Sequence, residues 1–365
     1  MNRRDFISGC VLAGVAASAR GLGWGGLAEG STDSLKAHAA NKGILYGAAT
    51  TDGTLRSDAG FAEALKQQCS LLVAENDLTW AKVHPAPDKY NFGPADDLLR
   101  FALDSAMKFR GTALVWHGQL PSWVSSTATA ANAKQLLTQH IQTVVGHYAG
   151  KMQSWDVVNE IVATWDKRPD GLRNSPWLQL LGPDYPAIAF QAARQADPKA
   201  LLVWNQNHLE YESDAASRTA VLKLLESMLR KNVPVQALGI QSHLAANKFQ
   251  FNARNMSNFL SEVSGMGLKI LITELDVTDK YVQGPQKVVD QAVADEFSRY
   301  LAPVLDNTSV IAVLTWGLSD KYSWLQSFAP RDDKQPVRGL PLDADMKPTP
   351  AFYAIANAFD HAPKR

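Results

Sequence analysis

Carboxylate side chains follow two apolar segments of this chain at the point where each segment ends. Glu160 comes after Val157–Asn159, and Glu274 and Asp276 follow a second apolar run that reaches Thr273. A carboxylate beside a buried segment is costly to desolvate, so it needs hydrogen-bond partners or a chemical role. Two such carboxylates predict acid–base or nucleophilic chemistry.

Amide, imidazole and indole side chains occupy the same position after other apolar segments. A single Trp after a strand is more often a core residue, but here the Trp side chains accompany groups that hydrogen-bond hydroxyls. Indole rings stack on the apolar face of a sugar, so the whole set predicts a carbohydrate site. The candidates are Glu75, Asn76, Trp116, His117, Gln119, Asn159, Asn207, Gln241, His243, Trp316 and Trp324. Other histidines fall in predicted helices or loops and are expected at the surface: His38, His140, His147, His208 and His361.

The elements that must position these residues are eight short apolar segments. They are continuous rather than alternating, as in strands buried on both faces, and sequence with helical periodicity separates them at intervals of roughly 25 to 45 residues. This order predicts a single catalytic domain with an α/β fold, a (β/α)8 TIM barrel, whose reacting groups lie at the carboxyl ends of the strands. The alternative, an open doubly wound sheet, lacks a G-x-G-x-x-G motif after its first strand. The predicted strands are 44–49, 71–74, 113–116, 155–158, 201–204, 237–240, 270–273 and 310–316.

The first nineteen residues are typical of a twin-arginine signal peptide. Arg3 and Arg4 precede an apolar run over 6–19 that ends in Ala-Ser-Ala, and this run is too short to span a bilayer. The alternative interpretation, that Cys10 belongs to a lipoprotein signal, is disfavoured because this cysteine precedes most of the apolar run. We therefore predict a signal at 1–19, a flexible lead-in at 20–40 and the barrel at 41–362, with a periplasmic or secreted product.

Composition excludes several classes of protein. Apolar residues make up 46% and charged residues 20%, which favours a folded domain with a large core. The 36 basic and 36 acidic side chains cancel, so the net charge offers no general attraction to nucleic acid or, after signal cleavage, to a membrane. Two cysteines cannot build a disulfide framework or a multi-cysteine metal cluster. Substrate and the export machinery are the expected partners, and we expect a monomer.

Five motifs in order resemble glycoside hydrolase family 10, the endo-β-1,4-xylanase family. Two contain the candidate carboxylates, namely WDVVNE at 155–160 and ITELDV at 272–277. The others are LVWHGQLPSW at 114–123, GIQSHL at 239–244 and TWGLSDKYSW at 315–324. The resemblance covers essentially residues 43–359, and it implies a retaining glycoside hydrolase that needs neither a metal nor an organic cofactor.

The resemblance also implies roles for the residues in these motifs. Glu274 would be the nucleophile and Glu160 the general acid and base, with the two carboxyl groups ~5 Å apart as retention requires. Asp276 would hold the ring of His243, which would hydrogen-bond Glu274 and keep it ionised. Asn159 would donate to the sugar 2-hydroxyl.

The remaining candidates would form sugar subsites on either side of the scissile bond. Glu75 and Asn76 would hydrogen-bond the next sugar on the non-reducing side. The central subsite would comprise Trp116, Gln119, Gln241, Trp316 and Trp324.

Three positions depart from the family pattern. Thr79 stands where the family usually has a lysine, and Thr112 stands where it usually has a histidine. The fifth strand ends Asn-Gln-Asn at 205–207 instead of Asn-Asp-Tyr. Because the usual lysine and histidine contact sugar hydroxyls, these changes predict altered substrate preference, for example for a substituted xylan.

Three alternative functions follow from the same residues. The chain could hydrolyse another polysaccharide, such as a bacterial exopolysaccharide, or it could bind sugar without cleaving it. A metal-dependent hydrolase is a further alternative, because His117, His243, Glu160 and Glu274 are possible ligands. However, the H-x-H motif that such barrels commonly carry after the first strand is absent.

Overall fold

A computed structural model of the chain describes residues 34–365. The predicted signal peptide and most of the predicted lead-in lie outside the described residues. Within 34–365, nine strands and fourteen α-helices alternate along the chain. The strands are β1 Leu45–Thr50, β2 Leu71–Ala74, β3 Lys108–Gly111, β4 Ser154–Asn159, β5 Leu201–Gln206, β6 Ala237–Ile240, β7 His243–Ala245, β8 Lys269–Thr278 and β9 Val310–Thr315.

The helices lie between and around the strands. They are α1 Leu35–Ala40, α2 Asp52–Ser57, α3 Ala59–Gln68, α4 Trp80–Val83, α5 Gly93–Asp104, α6 Ser122–Thr127, α7 Ala133–His147, α8 Pro176–Leu181, α9 Tyr185–Ala196, α10 Ala215–Arg230, α11 Ala253–Gly265, α12 Gln286–Leu305, α13 Leu325–Phe328 and α14 Pro350–His361. Among these described helices, none is long and apolar enough to cross a membrane.

Eight of the strands close into a parallel barrel. Neighbours pair in the order β6, β5, β4, β3, β2, β1, β9, β8, and β6 pairs with β8 to complete the ring. The short strand β7 extends the wall above β6 and pairs with the outer half of β8, where His243 is in register with Asp276. The predicted (β/α)8 barrel is confirmed.

The third barrel strand lies five residues before its predicted position. Two polar side chains in β3, Lys108 and Arg110, hide it from a search for apolar runs. Arg110 is buried inside the barrel, where its guanidinium pairs with Asp156. The predicted strand at 113–116 is instead a buried extension that touches β4 through the Val115–Val158 bridge.

Apolar residues pack on both sides of the barrel wall, in one layer outside it and one layer inside it. The larger layer includes residues of both strands and helices and lies between them. The smaller consists only of strand residues and fills the barrel interior. Its members are Ala49, Leu71, Val73, Val203, Ala237, Leu271, Ala312 and Leu314. Towards the carboxyl ends the interior becomes polar, because Asn205 and Thr273 continue the inward faces of β5 and β8.

Residues just beyond the predicted barrel limits, 41 and 362, contact the barrel. Helix α1 lies before the predicted start at residue 41, and its Leu35 and Ala39 are buried against the core. At the other end, the guanidinium of Arg365 donates to the carbonyl oxygens of Val310 and Leu305. Both ends are therefore held by packing or hydrogen bonds.

A buried stack of rings supports the loop after β2. His140 of α7 was expected at the surface, and that expectation is wrong, because its ring lies 3.7 Å from the ring of Trp80 and is 1% exposed. The Nδ1 atoms of His84 and His140 are 3.1 Å apart. His84 donates through Nε2 to the Pro87 carbonyl, so its Nδ1 accepts a hydrogen bond from the N–H at Nδ1 of His140.

Candidate active site

A cleft of about 830 Å³ opens at the carboxyl ends of the barrel strands. Thirteen of the fourteen candidate residues line it: Glu75, Asn76, Trp116, Gln119, Asn159, Glu160, Asn207, Gln241, His243, Glu274, Asp276, Trp316 and Trp324. The exception is His117, which lies behind Glu160 in a small recess with Arg173 and Trp177. The barrel therefore gathers side chains that are separated by up to 249 positions in the sequence.

Glu274 is held by donors on both carboxylate oxygens. Asn205 Nδ2 donates to Oε1 at 2.6 Å, and His243 Nε2 lies 3.2 Å from Oε2. The side chain is only 8% exposed, so these bonds replace most of the water that an ionised carboxylate would otherwise have. The two donors hold the Glu274 carboxylate in one orientation.

His243 is fixed between two carboxylates. Its Nδ1 lies 2.9 Å from Asp276 Oδ1, and Trp324 Nε1 donates to the other oxygen of Asp276 at 2.6 Å. Burial on its own lowers the pKa of His243, but Asp276 and Glu274 outweigh it and raise that pKa well above its ordinary value. The charged ring can then donate to both carboxylates at once.

Glu160 has a more open environment than Glu274. Gln241 Nε2 donates to its Oε1 at 3.1 Å, whereas its Oε2 lies 3.7 Å from Arg173 and 3.9 Å from His117. Its backbone adopts a left-handed φ of +56°, an uncommon conformation for a residue with a side chain, at the turn where β4 ends. The Oε2 atom therefore has no side-chain donor of Arg173 or His117 within hydrogen-bond distance.

His117 supports Glu160 from outside the cleft. Burial and the nearby Arg173 lower the pKa of His117, while Glu160 acts in the opposite direction. Arg173 also donates through Nε to the backbone carbonyl of Glu160 at 2.7 Å. Both residues therefore contact Glu160 from outside the lining of the main cleft.

A chain of amide hydrogen bonds joins the two carboxylates. Gln241 Nε2 donates to Glu160 and to Asn159 Oδ1, and Asn205 Nδ2 donates to the same Asn159 oxygen and to Glu274. Since Asn159 Oδ1 accepts both bonds at 3.1 Å, its Nδ2 group is left to donate to a ligand.

The side of the cleft near β2 contains a second polar network. Asn76 Nδ2 donates to Glu75 Oε1 at 3.2 Å, and Gln119 Nε2 donates to Asn76 Oδ1 at 2.8 Å. The Thr79 hydroxyl lies 2.7 Å from the Asn76 carbonyl oxygen and 3.0 Å from Gln119 Oε1, so it joins Gln119 to the backbone of this loop. Burial, reinforced by Asp77 and Glu274, raises the pKa of Glu75 to about 7.

Three indoles lie around the carboxylates. Trp116 lies under Gly118, where a Cβ atom would approach the indole to 2.8 Å, so glycine is required for this packing. Trp316 meets the ring of His243 edge-on at 6.5 Å, and Trp324 lies 5.0 Å from the same ring. Their exposed faces supply the apolar surface on which a sugar can stack.

Sequence reasoning missed the most connected amide of the site. The polar end of the fifth strand predicts Asn207 as a site residue, but its side-chain oxygen accepts a hydrogen bond from its neighbour Gln206 and not from a proposed catalytic residue. Asn205 is fully buried, and Thr273 donates to its Oδ1 at 2.7 Å. Gly239 provides its space, since a Cβ there would lie 2.5 Å from Asn205 Oδ1. Side chains two positions apart in a strand point the same way. Since Val203 of β5 points into the barrel, this alternation is the sequence signal that places Asn205 inside as well.

Other cleft residues had no sequence signal at all. The loops after β5, β7 and β8 contribute Tyr211, Lys248, Phe249 and Tyr281 to the end of the cleft away from Glu75. Across residues 34–365, no group of three or more His, Cys, Asp or Glu side chains has an arrangement that could hold a metal ion.

A closed parallel barrel with two carboxylates and stacking indoles at its carboxyl ends defines a glycoside hydrolase. The sequence matches the family described as Glycosyl hydrolase family 10 over residues 34–358. This chain belongs to that family.

Three xylanases from Thermotoga species are similar to this chain. Endo-1,4-beta-xylanase B of Thermotoga neapolitana is 32% identical, and the alignment covers 81% of this chain and 82% of that protein. Native xylanase 10B of Thermotoga maritima superposes with a TM-score of 0.82 at 32% identity, covering 90% of this chain and 98% of that one. Xylanase 10B of Thermotoga petrophila RKU-1, solved in complex with xylobiose, gives a TM-score of 0.82 at 31% identity and covers 90% and 97% of the two chains.

Proposed function

We propose that the enzyme cleaves internal β-1,4 bonds of xylan, or of a related substituted β-glycan, by double displacement with retention. The relatives named above are xylanases, and one was solved with xylobiose. A cleft of about 830 Å³ is near the upper end of the range for small-ligand sites, so it has room for several sugar units.

The observation that carries the mechanism is the unequal environment of the two carboxylates. Glu274 has donors on both oxygens, which suits a nucleophile that must be ionised to attack the anomeric carbon. Glu160 keeps Oε2 free of close donors, which suits an acid that must carry and release a proton. We assign the nucleophile to Glu274 and the general acid and base to Glu160 on this ground.

The first displacement then involves three groups. Glu274 bonds to the anomeric carbon while Glu160 gives its proton to the departing glycosidic oxygen. Asn159 Nδ2 donates to the 2-hydroxyl of the bound sugar, an interaction that strengthens as positive charge develops on the ring. In the second displacement, Glu160 takes a proton from water, which attacks the glycosyl-enzyme and releases Glu274.

Glu274→Gln and Glu160→Gln separate the two roles. Glu274→Gln is expected to abolish release of xylo-oligosaccharides from xylan and of a phenol from an aryl xylobioside. Glu160→Gln should lose 10²- to 10⁴-fold on xylan but form the glycosyl-enzyme readily from a dinitrophenyl xylobioside, whose leaving group needs no proton. NMR of the first product should show the β-anomer. An α-anomer, or turnover by Glu274→Gln, would contradict the mechanism.

We also propose that the chain leaves the cytoplasm by the twin-arginine route and acts as a monomer in the periplasm or medium. Support for export comes from Arg3, Arg4 and the apolar run over 6–19, all outside the described residues. The cysteine of the described domain, Cys69, is buried and unpaired, so this domain needs no oxidising compartment to fold. Replacing both arginines by lysine should retain the precursor in the cytoplasm, and sedimentation of the mature enzyme should give the mass of one chain. Export of the lysine variant would refute the route.

A further inference from the structure

A lysine lies at the end of the cleft away from Glu75. Lys248 follows β7 in the chain, and its Nζ donates to Tyr281 Oη at 2.5 Å. The same ammonium lies 3.9 Å from the ring centroid of Tyr281 and 4.7 Å from that of Phe249. Both rings remain 41% exposed, so the cation and two aromatic surfaces face solvent together.

The charge of Lys248 is not compensated by a neighbouring carboxylate. No Asp or Glu oxygen of the described residues lies within 4.0 Å of its Nζ. Lys248 is also the one Lys or Arg among the residues that line the cleft. Six carboxyl groups line the same cleft: Glu75, Glu160, Glu210, Asp214, Glu274 and Asp276. One N–H of the ammonium is used by Tyr281, and the remaining donors are available to a ligand.

The aromatic surface beside Lys248 is held by buried contacts. Phe249 packs on Tyr211 with ring centroids 4.9 Å apart. Tyr211 is 5% exposed, its hydroxyl donates to Glu296 at 3.1 Å, and that hydroxyl accepts from the Ala245 backbone at 2.7 Å. A ring supported in this way loses little conformational freedom when a sugar stacks on it.

We propose that Lys248, Phe249 and Tyr281 form a subsite for a carboxylate-bearing sugar, a hexuronic acid unit of the glycan. The rings would stack on the sugar, and the ammonium would bond its carboxylate. Because Lys248 is the one Lys or Arg among the residues that line the cleft, the acidic unit is directed to this end. The inference rests on the proposed function, because it names the substrate that the hydrolytic cleft selects.

The test compares two matched substrates, an acidic xylo-oligosaccharide that carries a glucuronic acid branch and the same compound after reduction of its carboxyl group to an alcohol. The quantity of interest is the ratio of kcat/KM for the acidic compound to that for the reduced one. Lys248→Met removes the charge and keeps the length of the side chain, whereas Lys248→Arg keeps the charge. Lys223→Met, on α10 outside the cleft, controls for loss of one positive charge.

In Lys248→Met the ratio is expected to fall about fivefold, which corresponds to ~1 kcal/mol for an ion pair open to solvent. Lys248→Arg should retain the ratio, Lys223→Met should leave it unchanged, and 0.5 M NaCl should lower it in the wild type because salt screens exposed charges. Turnover with the same ratio in Lys248→Met and the wild type would overturn this inference alone. Absence of turnover on both substrates by the wild type would instead overturn the proposed function, and this inference with it.

Discussion

Replacing Asn205 by alanine is expected to disable the site without touching either proposed catalytic carboxylate. The substitution removes the donor that lies 2.6 Å from Glu274 Oε1 and the donor that lies 3.1 Å from Asn159 Oδ1. It also leaves the hydroxyl of Thr273 without its acceptor. The Glu274 carboxylate then loses one of its two donors, and Asn159 is free to turn away from the sugar.

The magnitude follows from the kind of bond that is lost. A hydrogen bond to a charged group contributes ~1.5–3 kcal/mol, so kcat/KM for xylan should fall roughly 10- to 150-fold. The free energy of unfolding should fall by a similar ~1.5–3 kcal/mol, because buried groups of Glu274 and Thr273 lose their partners.

The assay measures kcat/KM with an aryl xylobioside between pH 4 and 9, together with urea unfolding at pH 7. Asn207→Ala is the matched comparison, because it removes the same side chain two positions further on, where the amide oxygen accepts a hydrogen bond from Gln206. We expect Asn207→Ala to have a clearly smaller effect on both quantities. The reasoning is refuted if a folded Asn205→Ala retains kcat/KM within twofold of the wild type, or if the two variants lose the same amount.

Three further predictions concern stability against pH, each measured by urea unfolding. Burial raises the pKa of Glu75 to about 7 from 4.5, so wild-type stability should fall as pH rises through this window. Glu75→Gln should remove the fall, and an unchanged profile would contradict the assignment. Burial lowers the pKa of His140 well below 6.5, so stability should fall as pH drops below 6.5, and His140→Phe should reduce this loss. An equally steep acid loss in the variant would argue against it. For His243, Asp276 and Glu274 outweigh burial and raise the pKa well above 6.5. The charged His243 ring should therefore contribute fully to the free energy of unfolding below pH 6.5. This contribution should be lost as pH rises through the raised pKa of His243, and His243→Gln should not show that loss. A variant that still shows it would be evidence against this pairing.

The barrel architecture was predictable because it rests on a repeated local pattern. Strands such as β5 and β6 are buried on both faces, so their apolar runs stand out from the amphipathic helices that follow them. The pattern failed at β3, where Arg110 is buried and neutralised by Asp156 on β4. No local signal distinguishes a charged residue at the surface from one that a distant partner permits inside.

The proposed catalytic carboxylates were also found from sequence, since Glu160 and Glu274 each end an apolar run inside a family motif. Their unequal roles required the tertiary structure. Glu274 has donors from β5 and from the start of β7, whereas Glu160 has one close donor from the end of β6. Donors from three different parts of the barrel set this difference.

Sequence alone therefore determined the class of fold, the position of the acids and the type of chemistry, because each depends on residue type and short-range periodicity. The tertiary structure alone decided which amide holds Glu274, that Thr79 joins Gln119 to the backbone of the loop after β2, and that Lys248 shares the cleft with Phe249 and Tyr281. Asn205 and Glu274 are 69 positions apart in the sequence, and Lys248 and Tyr281 are 33 positions apart. Barrel closure brings these residues together. Burial lowers the local dielectric constant, which strengthens each hydrogen bond and raises the cost of an unpaired charge.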